Sequence, residues 1–472
     1  MRDDAALRGL PVAVLGLGIE GRDLVRFLRT IGAEVTVFDT RPREAVAAAA
    51  AEAERLGATV VLGPHDPAQA ERFRAVYVSQ SVLLHREPFV RRARELGLPL
   101  SSMVREFMRR WPGRIVAVTG SSGKTTTTSL LAATFAAAGV PHIVGGNIGL
   151  GLLGQLDQGM PATWAVLEVS HTQLQLVERG PDVAAVTNVT PNHLDQFTWE
   201  QYVDLKRTLV RQQCAAGIAV LNATDPVSRA FAADTAAAIT WFNANVPGEP
   251  SAYVEDEHVM LRLNKAAERV LPLAQIPLRG QHNVENVLCA AATAAVVGIP
   301  LPVIAASVRA FQPVAHRLET VATVGGVTWV NDSIATSPER TLAGIRSFEE
   351  PLVLLLGGRE KKLPLKELAA LAHRRARSIV CFGEAGPLLA EQLATHAPVG
   401  EPRAEIVLTG TLPEAVSAAV QRAQPGDVVL LSPACTSFDA YPNFERRGEE
   451  FRALVAALAQ PAARKDGAPL RP

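Results

Sequence analysis

The stretch Arg114–Gly139, RIVAVTGSSGKTTTTSLLAATFAAAG, decides how the rest of the chain is read. It opens as a β-branched apolar run, turns through small residues and continues as an alanine-rich helical stretch. That strand–turn–helix order is the context a phosphate-binding loop requires. Within Thr119–Thr126, Gly120 and Gly123 allow backbone N–H groups, those of Ser121 and Ser122 among them, to close around phosphate oxygens. Lys124 brings an ammonium to the terminal phosphates, and Thr125 or Thr126 supplies a hydroxyl for Mg²⁺. The helix that follows directs its positive end at the same anion. The general pattern GxxxxGK[ST] asks for glycine at position 118, where this chain has Val118, so only its GKT half is met. These residues point to an ATP-using enzyme.

On both sides of this loop, short β-branched runs alternate with amphipathic alanine-rich stretches: Val12–Leu15, Val35–Phe38, Trp164–Glu168, Val183–Asn188, Leu352–Leu356, Ser378–Phe382 and Asp427–Leu431. This is the rhythm of βαβ units and parallel sheets. Many runs end in Gly, Asp, Asn, Glu or Ser, which puts chemically useful groups at the carboxyl ends of strands, where open α/β sheets bind ligands. A length of 472 residues exceeds one ordinary core. Breaks at Arg109–Gly113 (RRWPG) and Phe311–Val314 (FQPV) divide it into three expected α/β domains, 1–112, 113–313 and 314–472. The last residues, AARKDGAPLRP, read as a loose polar tail.

Composition narrows the class. Lys plus Arg and Asp plus Glu are each 47, so no global basic field for nucleic acid is expected. The four cysteines lie far apart without a CxxC pair, which argues against a zinc cluster and for a reducing compartment. A charged N-terminus and the lack of a long apolar stretch predict a cytoplasmic protein without membrane insertion.

Near the N-terminus, VAVLGLGIEG places Gly16, Gly18 and Gly21 in GxGxxG spacing, and a second strand ends at Asp39. Alone this is a dinucleotide fingerprint, with an NAD-dependent oxidoreductase as the competing class. The run Asp39-Thr40-Arg41 sets a cation beside the carboxylate, which suits a ligand carrying both hydroxyls and phosphates, so a UDP group fits equally well.

The loop TGSSGKTT resembles the TGTNGKTT loop of the Mur ligases, ATP-dependent enzymes that add amino acids to the peptidoglycan precursor. Further motifs follow in the family's order: Gly145–Gly149 (GGNIG), Glu168–Leu174 (EVSHTQL), Asn188–Asp195 (NVTPNHLD), Gly280–Asn286 (GQHNVEN), His316-Arg317, Asn331–Thr336 (NDSIAT) and Leu431–Ser437 (LSPACTS). The N-terminal GLG turn with Asp-Thr-Arg, and the run SPACTSFDAYPNFERRG at Ser432–Gly448, resemble the branch that adds D-glutamate to UDP-N-acetylmuramoyl-L-alanine. The resemblance implies an acyl phosphate formed from ATP and then attacked by the amine of the amino acid. It implies small-molecule substrates only, and a monomer.

Roles for single residues follow from the same resemblance. Lys124, Glu168, His193 and Lys206 are the expected catalytic set. Mg²⁺ is expected on Thr125, Glu168, His193 and Lys206, the last as a carbamate formed from CO₂. From the sequence alone Lys206 is merely an exposed helical lysine. ATP is expected to meet Gly120, Ser121, Ser122, Gly123, Lys124, Thr125 and Thr126, with Asn283, Asn286, Arg317 and Asp332 at the base and ribose. Asn283 and Asn286 read otherwise as caps of a helix Val284–Val297. The UDP precursor is expected on Gly16, Leu17, Gly18, Ile19, Asp39, Thr40 and Arg41, with Asn147, Ser170 and Gln173. Glutamate is expected on Thr336, Lys361, Ser437 and the backbone at Phe444; Arg359 and Lys362 compete with Lys361 for the carboxylate-binding role. Three departures bear on substrate placement: Ser79-Gln80-Ser81 replaces the family's SPG, Ile334 its lysine in NDSKAT, and Ser170-His171-Thr172-Gln173 its SSFQ.

Overall fold

The computed structural model describes residues 7–148, 151–194, 196–264, 266–278, 280–312, 315–361, 363–398 and 403–459. Gly149, Asp195, Pro313, Val314, Lys362 and the C-terminal tail, all singled out above, lie outside the described residues. The chain forms two compact units, Met1–Ile276 with Val284–Phe311, and Pro277–Asn283 with Gln312–Pro472.

The first unit contains two sheets. Strands β1 (Pro11–Leu15), β2 (Glu34–Asp39), β3 (Thr59–Leu62), β4 (Ala75–Val78) and β5 (Leu100–Ser102) form a parallel sheet in the order β3-β2-β1-β4-β5. The order reverses between β1 and β4, and such a switch point opens a ligand crevice at the strand ends. Gly16, at φ +89°, follows β1 there and meets the turn after β4 so closely that a Cβ would lie 2.2 Å from Ser79 Oγ. Helix α1 (Ile19–Thr30) leaves this turn and buries Leu24, Val25 and Leu28.

The second sheet is built from β6 (Arg114–Thr119), β7 (His142–Gly146), β8 (Trp164–Glu168), β9 (Val183–Val186), β10 (Ile218–Asn222), β11 (Ala238–Phe242), β12 (Ser251–Glu255), β13 (His258–Arg262) and β14 (Glu268–Pro272). Its order is β14-β13-β12-β11-β10-β9-β6-β8-β7, so the strand feeding the phosphate loop lies between parallel β8 and β9. One edge departs from the parallel rhythm: β12, β13 and β14 pair antiparallel. The cause is local: Asp256 and Glu257 both take positive φ, 47° and 56°, the two-residue turn that joins a hairpin.

Contacts at Trp111 and Asp23 help tie the two sheets into one unit. Trp111 is 2% exposed, stacks on Phe107 at 5.0 Å and donates from Nε1 to the Thr163 carbonyl at 3.3 Å. From α1, Asp23 accepts the backbone N–H groups of Leu153 and Gly154 at 2.7 and 3.1 Å. One apolar cluster runs from Val12 and Leu24 through Phe107 to Ile115 and Leu167.

The second unit holds β15 (Glu319–Val324), β16 (Val327–Asn331), β17 (Leu352–Gly357), β18 (Ala376–Phe382), β19 (Glu405–Leu408) and β20 (Val428–Ala434) in the order β15-β16-β20-β17-β18-β19. Only β15 runs antiparallel. The loops after β16, β20 and β17 therefore leave neighbouring strands at one end of the sheet. Among the described residues, no helix is long and apolar enough to cross a membrane.

Candidate active site

The phosphate loop takes the shape its glycines predict. Gly120 and Gly123 have φ of 148° and 79°, and a Cβ at Gly120 would lie 1.9 Å from Thr187 Oγ1. Helix α2 (Lys124–Ala137) starts from Gly123. Lys124 Nζ donates to the carbonyls of Gly120 and Ser121 at 2.9 and 3.1 Å, which lays the ammonium along the loop. Strand β9 ends two residues before its expected limit because Thr187 and Asn188 turn to hold the loop. Thr187 Oγ1 donates to the Ser122 carbonyl at 2.6 Å, and Ser122 N–H donates to Asn188 Oδ1 at 3.0 Å. Ser121 shares a hydroxyl pair of 3.0 Å with Tyr202 Oη. Asn286 lies against the loop as well: a Cβ on Gly123 would meet its Oδ1 at 2.1 Å.

Behind the loop lie two buried ionisable groups. Glu168, at the end of β8, is 2% exposed. Its Oε1 accepts from Asn147 Nδ2 at 2.7 Å, whereas its buried Oε2 accepts no hydrogen bond from the described residues. Lys206 projects from helix α3 (Trp199–Arg211), is 1% exposed and donates to Thr119 Oγ1 at 3.0 Å. The reading of Lys206 as an exposed lysine is thus corrected. Burial, then the charge of Lys124, push its pKa well below the ordinary lysine range, and Glu168 opposes them. A buried carboxylate oxygen without a donor is costly unless a cation meets it. Mg²⁺ commonly takes one or two carboxylates and fills its remaining positions with water and substrate phosphate, so this donor set fits the ion. Thr126 Oγ1 is also buried without a partner.

His193 is placed differently from the other expected metal ligands. It has φ +55° and its ring stacks on His171 at 4.1 Å, with Tyr202 at 6.3 Å. Burial, followed by the charges of His193 and Lys206, holds His171 down to about 2, so it is neutral. Among the described residues no three His, Cys, Asp or Glu side chains converge as a metal cluster.

At the switch point of the first sheet, Asp39 is fully engaged. Its Oδ2 accepts Leu17 N–H at 2.7 Å and Arg41 Nη2 at 2.7 Å, and its Oδ1 accepts Arg41 Nε at 2.9 Å. Burial alone would raise this carboxyl, but the hydrogen bonds and charge of Arg41 outweigh it and hold Asp39 at about 2. Thr40 and Ile19 are exposed beside it. Gln173 is used at both ends, accepting Ser170 N–H at 2.9 Å and donating to Glu20 Oε1 at 2.6 Å. The other oxygen of Glu20 accepts Gln80 N–H at 2.6 Å, and Ser170 Oγ donates to Gln80 Oε1 at 3.3 Å. Glu20, Asn188 and Tyr202 are thus structural members of the sites to which the sequence reading gave no role.

In the second unit, Lys361 Nζ donates to Thr336 Oγ1 at 3.4 Å, which joins two of the expected glutamate residues. Arg359 instead pairs with Glu384 at 2.9 Å. Ser437 is buried, and the Phe444 carbonyl accepts from Ser333 Oγ at 2.8 Å. Asp332 accepts from Ser432 Oγ at 2.8 Å and from Leu318 N–H at 3.2 Å. Burial raises it to about 7 against the opposing hydrogen bond of Ser432 and charge of Arg317. Asn283 and Asn286 are not helix caps: helix α4 spans Gln281–Val296 and starts before both.

Comparison with known proteins adds the following. Residues 118–294 match the Mur ligase middle domain, and residues 316–435 match the Mur ligase glutamate ligase domain. A protein of Symbiobacterium thermophilum named UDP-N-acetylmuramoylalanine–D-glutamate ligase is 39% identical over 95% of this chain and 98% of its own. One of the same name from Acidobacterium capsulatum is 39% identical over 96% and 97%. In fold, the chain is similar to a UDP-N-acetylmuramate–alanine ligase of Thermotoga maritima, with a TM-score of 0.58, 18% identity and coverage of 95% and 99%.

Proposed function

The chain belongs to the Mur ligase family, and from that premise we propose that it joins D-glutamate to UDP-N-acetylmuramoyl-L-alanine, using ATP and releasing ADP and phosphate, in cytoplasmic peptidoglycan precursor synthesis. The observation that carries the chemistry is the buried Glu168 Oε2, which accepts no hydrogen bond, beside a buried lysine and behind a phosphate loop. Phosphorylating a carboxylate brings two anions together, and preorganised positive groups must suppress that repulsion. Lys124, with the N–H groups from Gly120 to Thr126, would hold the γ-phosphate in line with the substrate carboxylate. Mg²⁺, when bound by Thr125, Glu168, His193 and Lys206, would neutralise phosphate charge.

Lys206 as a carbamate is part of this proposal. Carbamate formation needs an unprotonated amine, and burial of Lys206 favours that form. The product is an anion, which would turn an unfavourable buried cation into a second oxygen donor. Asn147 would act on the same centre by orienting Glu168.

The remaining assignments stand on the family motifs. Asn283, Asn286, Arg317 and Asp332 would hold the base and ribose of ATP. The turn from Gly16 to Ile19, with Asp39, Thr40, Arg41, Ser170 and Gln173, would take the UDP precursor; because Asp39 is engaged by Arg41, the guanidinium rather than a free carboxylate is what the crevice offers. Thr336, Lys361, Ser437 and the Phe444 backbone would receive glutamate, and a monomer is expected. The test is phosphate release with UDP-N-acetylmuramoyl-L-alanine and D-glutamate, L-glutamate or D-aspartate in parallel. D-glutamate should be preferred, and absorbance of added NADH should stay constant; release that ignores the amino acid offered would refute the proposal.

A further inference from the structure

Helix α5 (Phe444–Ala459) begins within the last motif, and one turn inside it Arg447 is 0% exposed. Removing a guanidinium from water is costly, and a buried cation is retained only where its donors are satisfied. Arg447 meets that demand with backbone and hydroxyl oxygens. Its Nε donates to Ser333 Oγ at 3.0 Å, and its Nη2 to the carbonyls of Ser333 at 2.9 Å and Cys435 at 3.2 Å. Its Nη1 donates to the carbonyls of Gly357 at 3.3 Å and Thr436 at 3.2 Å.

These acceptors are not scattered. Ser333 follows β16, Gly357 ends β17, and Cys435 and Thr436 follow β20, three strands adjacent in the order β16-β20-β17. The same loops run on to Thr336, Lys361 and Ser437, and Ser333 Oγ passes the link to the Phe444 carbonyl at 2.8 Å. Backbone bonds join the loops in pairs: Arg359 and Thr436 exchange two of 2.9 Å, and Ala434 N–H donates to the Ala335 carbonyl at 2.9 Å. Arg447 bonds all three at once. The packing leaves no slack, because a Cβ on Gly358, at φ +120°, would lie 2.0 Å from the Thr436 carbonyl oxygen and 2.8 Å from Arg447 Nη1.

We propose that Arg447 is the positioning residue of the amino-acid site, its planar fork setting the mutual spacing of the loops that carry Thr336, Lys361 and Ser437. The proposal rests on the reading of those three residues as the glutamate site. A bulky apolar side chain would fill the same volume, but it would leave five hydrogen bonds unmade and the loops tied only two at a time. Lysine would keep the charge and lose the fork, since a single ammonium cannot reproduce the planar set of donors. Burial lowers Arg447 to about 10 against the nearby carboxylate of Asp439, so it stays charged near neutral pH and adds positive potential where a dicarboxylate would bind.

The test compares Arg447→Lys with the full-length parent by steady-state kinetics and by amide hydrogen exchange. The KM for D-glutamate should rise about 10-fold, with the KM for the UDP precursor and kcat changed by less than about 3-fold. Exchange should quicken in 333–337, 357–361 and 434–438 and stay unchanged in 119–126. Ser333→Ala, which removes the hydroxyl that accepts from Arg447 and donates to the Phe444 carbonyl, should move the same constants in the same direction by about 3-fold, and it serves if the lysine variant does not fold. An unchanged KM for D-glutamate in a folded variant overturns the proposal. So does an equal rise for both substrates with faster exchange throughout the second unit, the mark of a merely structural residue. A parent protein inert toward D-glutamate overturns the functional reading instead, and the exchange pattern then decides the loop-setting role by itself.

Discussion

The surroundings of Glu168 and those of Arg447 are equally buried and chemically opposite. Each is a charged side chain at most 2% exposed, beside loops at the carboxyl ends of strands. Arg447 makes five hydrogen bonds to oxygens of its own chain. Glu168 has one oxygen held by Asn147 and the other accepting no hydrogen bond. Burial alone therefore does not mark function. Here the buried charge satisfied by its own chain ties loops together, and the one with an open oxygen is the one proposed to meet a cation.

The comparison breaks most visibly at Glu168. Glu168→Gln keeps the shape and removes the charge, so phosphate release should fall about 100- to 1,000-fold while the Tm holds or rises, because a buried unsatisfied charge is gone. Retained activity would show that the open oxygen serves no cation. Arg447→Met should do the reverse in kind: the urea midpoint should fall, with roughly 3 kcal/mol lost, because several buried carbonyls lose their donors. A midpoint equal to the parent's would mean that those carbonyls find other partners.

Lys206→Ala sharpens the contrast within the first site. Activity should fall about 10- to 100-fold, and millimolar short carboxylates should restore part of it by standing in for the oxygens of the proposed carbamate. Full activity in the untreated variant excludes the role. The smallest effect is expected at Asp332. Its folded pKa, about 7, lies above its unfolded value, so its carboxyl favours the folded state fully below pH 4 and this stability is lost as pH rises through 7. His282 has the opposite sign: burial, then the charge of Arg317, lowers it to about 4, so its contribution is present above pH 6.5 and is lost as pH falls toward 4. Urea midpoints between pH 5 and 8 should show Asp332→Asn flattening the decline on the alkaline side; an unchanged slope would place that decline elsewhere.

Much of this was legible in local sequence. The phosphate loop, the glycine turn and the strand ends at Glu168 and Asp39 were readable because each depends on a few consecutive residues with fixed backbone demands. The antiparallel edge was missed because its turn is built from Asp256-Glu257, without the Gly or Asn that usually announces a hairpin. The helix at Gln281 was placed three residues too late because its asparagines are also good caps. Glu20 and, within the run Ser432–Gly448, Arg447 drew no role, since a glutamate in a first helical turn and an arginine among charged neighbours look solvated.

The sequence by itself determined the reaction class, because nucleotide-binding loops are local constructions whose spacing survives in one dimension. Only the tertiary structure decided which charges are buried and what they face. Lys206 meets Thr119 across 87 residues, and Arg447 meets Ser333 across 114. Desolvation is set by whatever packs around a group in space, and no window along the chain contains those neighbours.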